Sequence, residues 1–82
     1  MNTAILPTLR EGSKGAEVVK LQEILTRINF YSGVVDGIFG SVTKDAVIRF
    51  QREYGLVADG IVGSKTWSKL NEIAGDTIEW RK

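Results

Sequence analysis

The sequence DGIFGSVT at residues 36–43 recurs as DGIVGSKT at residues 59–66. Six of the eight positions are identical, and the two copies start 59 − 36 = 23 residues apart. Tyr31 and Tyr54 match at the same separation. We refer to residues 36–43 as the first repeat and to residues 59–66 as the second repeat. In a chain of 82 residues, such a repeat indicates two copies of one supersecondary unit.

Each repeat predicts a tight loop that leads directly into a helix. Asp-Gly is a strong turn signal, because Asp can accept a hydrogen bond from the backbone two residues on and Gly adopts positive φ without steric cost. Ile38 and Ile61 are expected to anchor the loops to the core, and the Gly-Ser pair that follows is expected to cap a helix. Asp36 and Asp59 are expected to accept hydrogen bonds from loop N–H groups or from the Thr hydroxyl. Direct ligand contact by these carboxylates is the alternative.

Composition limits both the size of the protein and its chemistry. Eighty-two residues form one small domain. Eleven basic and ten acidic residues give a net charge of +1, which does not indicate binding to nucleic acid or to an anionic membrane. The chain has no cysteine and no histidine, so disulfides, thiolate metal sites and the usual general base are excluded. We therefore expect no metal, no cofactor and no catalytic residue.

Nothing in the chain predicts export or a membrane span. No apolar run approaches the roughly 18 residues that a span needs. The short apolar patch at residues 4–6 is broken by Pro7 and has no basic residues before it, unlike a secretory signal. The expectation is synthesis in the cytoplasm with release by another route, or a fragment of a longer protein.

Apolar residues recur at spacings of three and four in three segments, which predicts an all-α fold. Helices are expected at about residues 15–28, 42–54 and 65–73, packed as a compact three-helix bundle that carries the two Asp-Gly loop-to-helix repeats. Ser13 is the expected N-cap of the first helix. Residues 1–8 are expected to be an extended leader, 9–74 the domain and 75–82 a tail. The predicted core contains Val18, Leu21, Leu25, Ile28, Val47, Phe50, Trp67 and Leu70.

The chain resembles the small three-helix peptidoglycan-binding domains found attached to bacterial and phage cell-wall hydrolases. The resemblance covers residues 9–70. Its motifs are Leu9-Arg10-x-Gly12-Ser13-x-Gly15, Val18-x-x-Leu21-Gln22-x-x-Leu25, Tyr31-x-Gly33-x-x-Asp36-Gly37-x-Phe39-Gly40-x-x-Thr43, Ala46-Val47-x-x-Phe50-Gln51 and Gly55-Leu56-x-x-Asp59-Gly60-x-Val62-Gly63-x-x-Thr66-Trp67-x-x-Leu70. Asn29-Phe30 stands where the family commonly has Leu-Gly, which changes the entrance to the loop beside Tyr31.

The resemblance implies a non-catalytic module that binds peptidoglycan and holds an enzyme or an assembly at the cell wall. The partners implied are the glycan strand and stem peptide, together with a hydrolase or phage assembly protein. The implied location is the cell wall, the periplasm or a phage. The motif residues mainly define the fold and do not name the binding residues.

Ligand chemistry places a candidate site beside the first repeat. Sugars need aromatic faces, and stem-peptide carboxylates need N–H groups or cations, which the start of the second helix offers. The hypothesis is a shallow site formed by Phe30, Tyr31, Asp36, Phe39 and Arg49. The competing interpretation puts Phe39 in the core, as it does Trp67, and makes Arg49 a surface partner of Asp45. The amides of Gln22 and Gln51 are expected to bond loop backbone.

Three other functions compete with peptidoglycan binding. A hydrolase with Asp36 and Asp59 as a carboxylate pair is conceivable, although both residues have a local role in their turns. Docking onto another protein, as a structural module or an assembly subunit, is the stronger alternative. DNA binding is disfavoured by the near-zero net charge.

Overall fold

A computed structural model describes residues 7–75 and places three α-helices in that part of the chain. They are α1 (Ala16–Arg27), α2 (Ser41–Glu53) and α3 (Ser64–Ala74). Each boundary lies within one residue of the predicted one, and the all-α prediction is confirmed. Residues 1–6 of the predicted leader (1–8) and residues 76–82 of the predicted tail (75–82) lie outside the described residues.

A glycine immediately precedes each of the three helices. The N-cap residues are Gly15, Gly40 and Gly63, and none of them has a side chain to cap with. Ser13 is therefore not the N-cap of α1. Its Oγ instead accepts a hydrogen bond from the Arg10 N–H at 3.1 Å and closes the turn that precedes the helix. The first N–H groups of each helix are left without a side-chain cap.

Each helix is followed within two residues by a residue in the left-handed conformation. Asn29 has φ 71°, Gly55 has φ 72° and Gly75 has φ 76°. Asn tolerates this region better than other residues with a side chain, and Gly enters it without a Cβ penalty. Asn29 and Gly55 turn the chain away from the helix axis and into the loop that follows.

Helix α1 packs against both α2 and α3, and the core lies between them. All predicted core residues are buried except Ile28, which is partly buried against the same cluster. Ile73, three residues after the buried Leu70, is 38% exposed, while the polar Asn71 is buried. The inward face of α3 is therefore centred nearer to Trp67, Leu70 and Asn71.

An N-terminal strap, defined here as residues 9–15, holds the two repeats side by side. Leu9 exchanges two backbone hydrogen bonds with Val62, N–H to O at 3.1 Å and O to N–H at 2.8 Å. The Gly12 N–H donates to the Phe39 carbonyl at 2.8 Å, and the Gly15 N–H donates to the Gly37 carbonyl at 3.0 Å. One short segment thus bonds first to the second repeat and then to the first.

Pairing with the strap decides which side chains of each repeat face inwards. Because successive side chains of extended backbone point to opposite sides, only one of two neighbours reaches the core. Phe39 and Val62 are the inward residues, at 1% and 0% exposure. Ile38 is 50% exposed and Ile61 is partly exposed. The prediction that the isoleucines anchor the loops is therefore wrong, and the residue after each of them is the anchor.

Candidate functional site

Gln22 fastens the first repeat to α1. Its Oε1 accepts hydrogen bonds from the N–H groups of Asp36 at 3.1 Å and Gly37 at 2.9 Å. Its Nε2 lies 3.0 Å from both the Ile38 carbonyl and the Thr43 Oγ1. The side chain is fully buried, so these bonds replace the water that both ends of the amide would otherwise need. The prediction that this amide bonds loop backbone is confirmed.

Gln51 forms the same network for the second repeat. Its Oε1 accepts from the Gly60 N–H at 2.9 Å, and its Nε2 donates to the Ile61 carbonyl at 2.9 Å and to Thr66 Oγ1 at 3.1 Å. The similarity of the two copies therefore extends beyond the eight repeated residues to the helix before each loop. Each unit is a helix, a loop held by an internal glutamine, and a second helix.

Asp36 and Asp59 close their own turns, as predicted. The Ile38 N–H donates to Asp36 Oδ1 and the Ile61 N–H to Asp59 Oδ1, each at 3.0 Å. The Ile38 N–H, followed by the Gln22 amide, lowers the pKa of the Asp36 carboxyl from its ordinary value, because both donors favour the charged form. The Thr hydroxyls bond the glutamines instead of the carboxylates.

The lowered pKa of Asp36 predicts acid sensitivity. A carboxyl whose pKa is lower in the folded than in the unfolded state contributes stability above its unfolded pKa. That contribution is lost as the pH falls through the folded pKa, below the ordinary value of 3.8. Asp36→Asn removes the titrating group, so the melting temperature of the variant should fall less than that of the parent over this acid range. Equal falls in the two proteins would contradict the assignment.

Tyr31 lies under the first repeat and is 7% exposed. Its hydroxyl donates to the Val34 carbonyl at 2.6 Å and lies 3.3 Å from Gln22 Nε2. A Cβ atom at Gly33 would come within 2.8 Å of this hydroxyl, so the loop passes Tyr31 too closely for any residue except glycine. Tyr31 therefore sets the shape of the loop and offers a ligand little surface.

Phe30 and Arg49 form one half-exposed patch beside that loop. The Arg49 guanidinium carbon lies 5.8 Å from the centre of the Phe30 ring, and its Nη1 donates to the Phe30 carbonyl at 3.3 Å. The Phe30 ring meets Phe50 edge-on at 5.5 Å, and Tyr54 at 6.3 Å. The alternative that pairs Arg49 with Asp45 is not seen among residues 7–75, where Arg49 is directed to Phe30.

Phe39 does not share that patch. Its exposure of 1% places the ring in the core, where it leaves no aromatic face for a sugar. Of the five predicted site residues, the structure brings Phe30 and Arg49 into contact. Tyr31 and Asp36 are joined to each other only through the Gln22 amide. Phe39 and Trp67 instead take the core positions that the competing interpretation gave them.

Two concavities open at the second repeat. One has a volume of about 220 Å³ and is lined by Arg10, Glu11, Lys44, Asp59, Gly60 and Ile61. We call it the inter-repeat cavity, because the strap and the start of α2 form one side of it and the second repeat forms the other. The second, of about 280 Å³, lies against Leu56, Val57 and the first turn of α3. None of the five predicted site residues lines either cavity.

Sequence reasoning missed these cavities because their walls come from separate parts of the chain. The available signal was the second repeat itself, because residues 59–66 repeat the residue types of residues 36–43, where a site was predicted. Lys44 could not be placed there from the sequence, because its stem lies across Gly60 only in the folded protein. A Cβ atom at Gly60 would lie 3.0 Å from Lys44 Cγ.

A single family model covers both repeats and most of the three helices. Residues 14–70 match the family model described as "Putative peptidoglycan binding domain". The chain belongs to this peptidoglycan-binding domain family. The match spans the three helices except the last residues of α3.

Among similar proteins, members of the peptidoglycan-binding domain family occur within cell-wall enzymes. The chain is 46% identical over 74 residues to the zinc D-Ala-D-Ala carboxypeptidase of Streptomyces albus G, covering 84% of this chain and 28% of that protein. It superposes on the N-terminal domain of SleB with a TM-score of 0.83 and 38% identity, covering 87% of this chain and 99% of that one. For the endolysin of Burkholderia phage AP3 the TM-score is 0.74 and the identity 52%, covering 78% and 24%.

The peptidoglycan-binding domain accounts for only part of such enzymes, since the chain spans about a quarter of the carboxypeptidase and of the endolysin. Within residues 7–75, no group of three or more carboxylate, histidine or cysteine side chains is placed to hold a metal ion. No helix in the same range is long and apolar enough to cross a membrane. The structure offers two loops, each held by a buried glutamine, with two concavities at the second of them.

Proposed function

We propose that this chain is a non-catalytic module that binds cell-wall peptidoglycan and holds an attached or associated hydrolase, or a phage assembly, against it. The observation that carries the proposal is the family match over residues 14–70, which includes both repeats. The two glutamine networks support it, because a site on preorganised loops loses less entropy on binding than a site on mobile ones.

The proposed contact surface includes the half-exposed Phe30 ring, the Arg49 guanidinium beside it and the exposed Asp36. An aromatic face suits the C–H side of a sugar, and a guanidinium suits a stem-peptide carboxylate. Tyr31 and Phe39 support this surface from below, since one shapes the loop and the other anchors it.

A binding role is favoured over hydrolysis because both candidate carboxylates already accept hydrogen bonds within their own turns. Asp36 and Asp59 each hold an N–H group of their own loop. A general acid for glycoside cleavage needs a raised pKa, whereas the pKa of Asp36 is lowered. Release of soluble fragments from purified peptidoglycan by this chain alone would overturn the non-catalytic part of the proposal.

Retention on purified sacculi tests binding directly. The protein is mixed with sacculi whose stem peptides contain diaminopimelate, and separately with sacculi containing lysine, and the pellet is assayed after centrifugation. The parent should pellet with at least one type. Arg49→Gln should weaken retention about fivefold, the scale of one charge-assisted contact at an exposed site. Arg52→Gln, which removes an exposed charge elsewhere on α2, is the matched control and should bind like the parent.

Docking onto another protein is the second candidate, and exposed apolar side chains favour it. Val34 is 72% exposed, Val42 is 59% exposed and Ile38 is 50% exposed, all on or next to the first repeat. Such residues are common at protein interfaces as well as on ordinary surfaces. Recovery of the folded protein in the supernatant with both types of sacculi would favour this function over peptidoglycan binding.

A further inference from the structure

The inter-repeat cavity is small and is lined by residues of both charges. Its lining includes two basic residues, Arg10 and Lys44, and two acidic residues, Glu11 and Asp59. The floor contains Gly60, whose missing side chain leaves room against the Lys44 stem. At about 220 Å³, the cavity is below the size of ordinary small-molecule pockets, so it fits a terminal group rather than a disaccharide.

Much of that charge is available to a ligand. Arg10 is tied to the strap only through its backbone, whose N–H donates to Ser13 Oγ and whose carbonyl accepts from the Ser13 N–H. Within residues 7–75 its guanidinium has no hydrogen bond or ion pair. Asp59 uses Oδ1 for the Ile61 N–H and for Gln51, which leaves its second carboxylate oxygen open. Lys44 and Glu11 are 3.7 Å apart and exposed, and an ion pair of that kind contributes little to stability.

Within residues 7–75, the equivalent glycine of the first repeat does not pack against a charged side chain, although the backbone arrangement is the same. Where the second repeat packs Gly60 against Lys44 and Ile48, the first packs Gly37 against the Gly15 carbonyl and Val19. Gly15 thus stands where the second unit has a lysine. The charged walls therefore do not follow from the repeated fold, because the first repeat keeps its glutamine network without them.

We infer that the inter-repeat cavity binds the zwitterionic end of a stem-peptide residue, one that carries an ammonium and a carboxylate on the same carbon. A lone carboxylate would be attracted by Arg10 and Lys44 but repelled by Glu11 and Asp59. A lone ammonium would be attracted by the two acids but repelled by the two basic residues. A zwitterion satisfies both pairs at once, with the guanidinium on its carboxylate and Asp59 and Glu11 on its ammonium. The side-chain end of diaminopimelate has this chemistry, whereas the side chain of lysine offers only the ammonium.

The inference rests on the proposed function and adds the type of stem peptide preferred. It also implies a preference for stems that are not cross-linked, because a cross-link through that nitrogen removes its positive charge. The contacts proposed at Phe30 and Arg49 lie outside this cavity, because neither residue lines it. Retention on sacculi and discrimination between stem peptides are therefore measured separately.

The test measures the affinity of the full 82-residue chain for two soluble muropeptides by calorimetry. One has a diaminopimelate stem with its side-chain carboxylate free, and the other has that carboxylate amidated. The parent should bind the free form about five- to tenfold more tightly, the scale of one charge-assisted hydrogen-bonded pair at a partly exposed site. Arg10→Gln should remove this preference and remain on sacculi, while Arg52→Gln should keep it.

Each outcome decides the matter. Equal affinity of the parent for the two muropeptides overturns the inference and leaves peptidoglycan binding intact. An Arg10→Gln variant that keeps the full preference overturns the role of the inter-repeat cavity. If the parent binds neither muropeptide and no sacculi, the proposed function is overturned and this inference with it.

Discussion

Phe39→Ala is expected to lower the free energy of unfolding by about 3–5 kcal/mol, the range found for deleting a large buried aromatic ring. Phe39 is 1% exposed and is the inward residue of the first repeat, with Gly12 and Ser13 of the strap bonded to its backbone. Removal of the ring leaves a cavity beneath the loop that rigid neighbours fill only partly. Urea unfolding followed by circular dichroism measures the loss.

Phe39→Leu separates the structural role from ligand contact. Val62 occupies the equivalent position in the second repeat, so an aliphatic residue is compatible with this backbone. The leucine variant should fold, lose about 1–1.5 kcal/mol of stability and bind sacculi like the parent. Weak binding by a stable, folded Phe39→Leu protein would show that the ring contacts peptidoglycan, as the sequence-based hypothesis proposed.

Gln22→Leu is expected to cost about 3 kcal/mol, because two or more buried polar groups lose their partner at about 1–3 kcal/mol each. The Gly37 N–H and the Thr43 hydroxyl are buried and bond the Gln22 amide at 2.9 and 3.0 Å. Leucine has a similar volume, so packing is largely preserved and the loss reports the hydrogen bonds. Urea titration of the variant and the parent gives the difference in unfolding free energy.

Glu23→Leu is the matched control for that substitution. It introduces the same side chain one position along α1, where Glu23 is exposed. A surface change of this kind shifts stability by about 0.5 kcal/mol or less. If Gln22→Leu were no more destabilising than Glu23→Leu, the network would not be what holds the first repeat to α1.

The helices and loops were predictable because their signals are local. Glycines at helix ends, Asn29 in the left-handed region and the three- and four-residue spacing of apolar side chains each act within a few positions. The burial of Gln22 and its bonds to loop backbone also followed from its place beside the core residue Leu21.

The candidate site was less predictable because it depends on contacts between distant segments. The inward side of each repeat is set by the strap, so Ile38 was predicted as an anchor in place of Phe39. Arg49 was matched with Asp45 by helical spacing, but the Phe30 ring and carbonyl attract it instead. Spacing within one segment contains no information about either choice.

The N-terminal residues from Pro7 through the strap have a consequence for the order in which the chain folds. Gln22 and Gln51 reach loops that are 14 and 8 residues away, whereas Trp67 donates to the Pro7 carbonyl across 60 residues. Contacts between near neighbours cost less loop-closure entropy, so the two helix–loop–helix units are able to form before the ends of the domain meet. The inter-repeat cavity, with Arg10 and Glu11 in its wall, is complete only after that last closure. The cavity can therefore bind a ligand only in the fully folded chain. Partly folded forms, including those present during synthesis, lack the complete cavity.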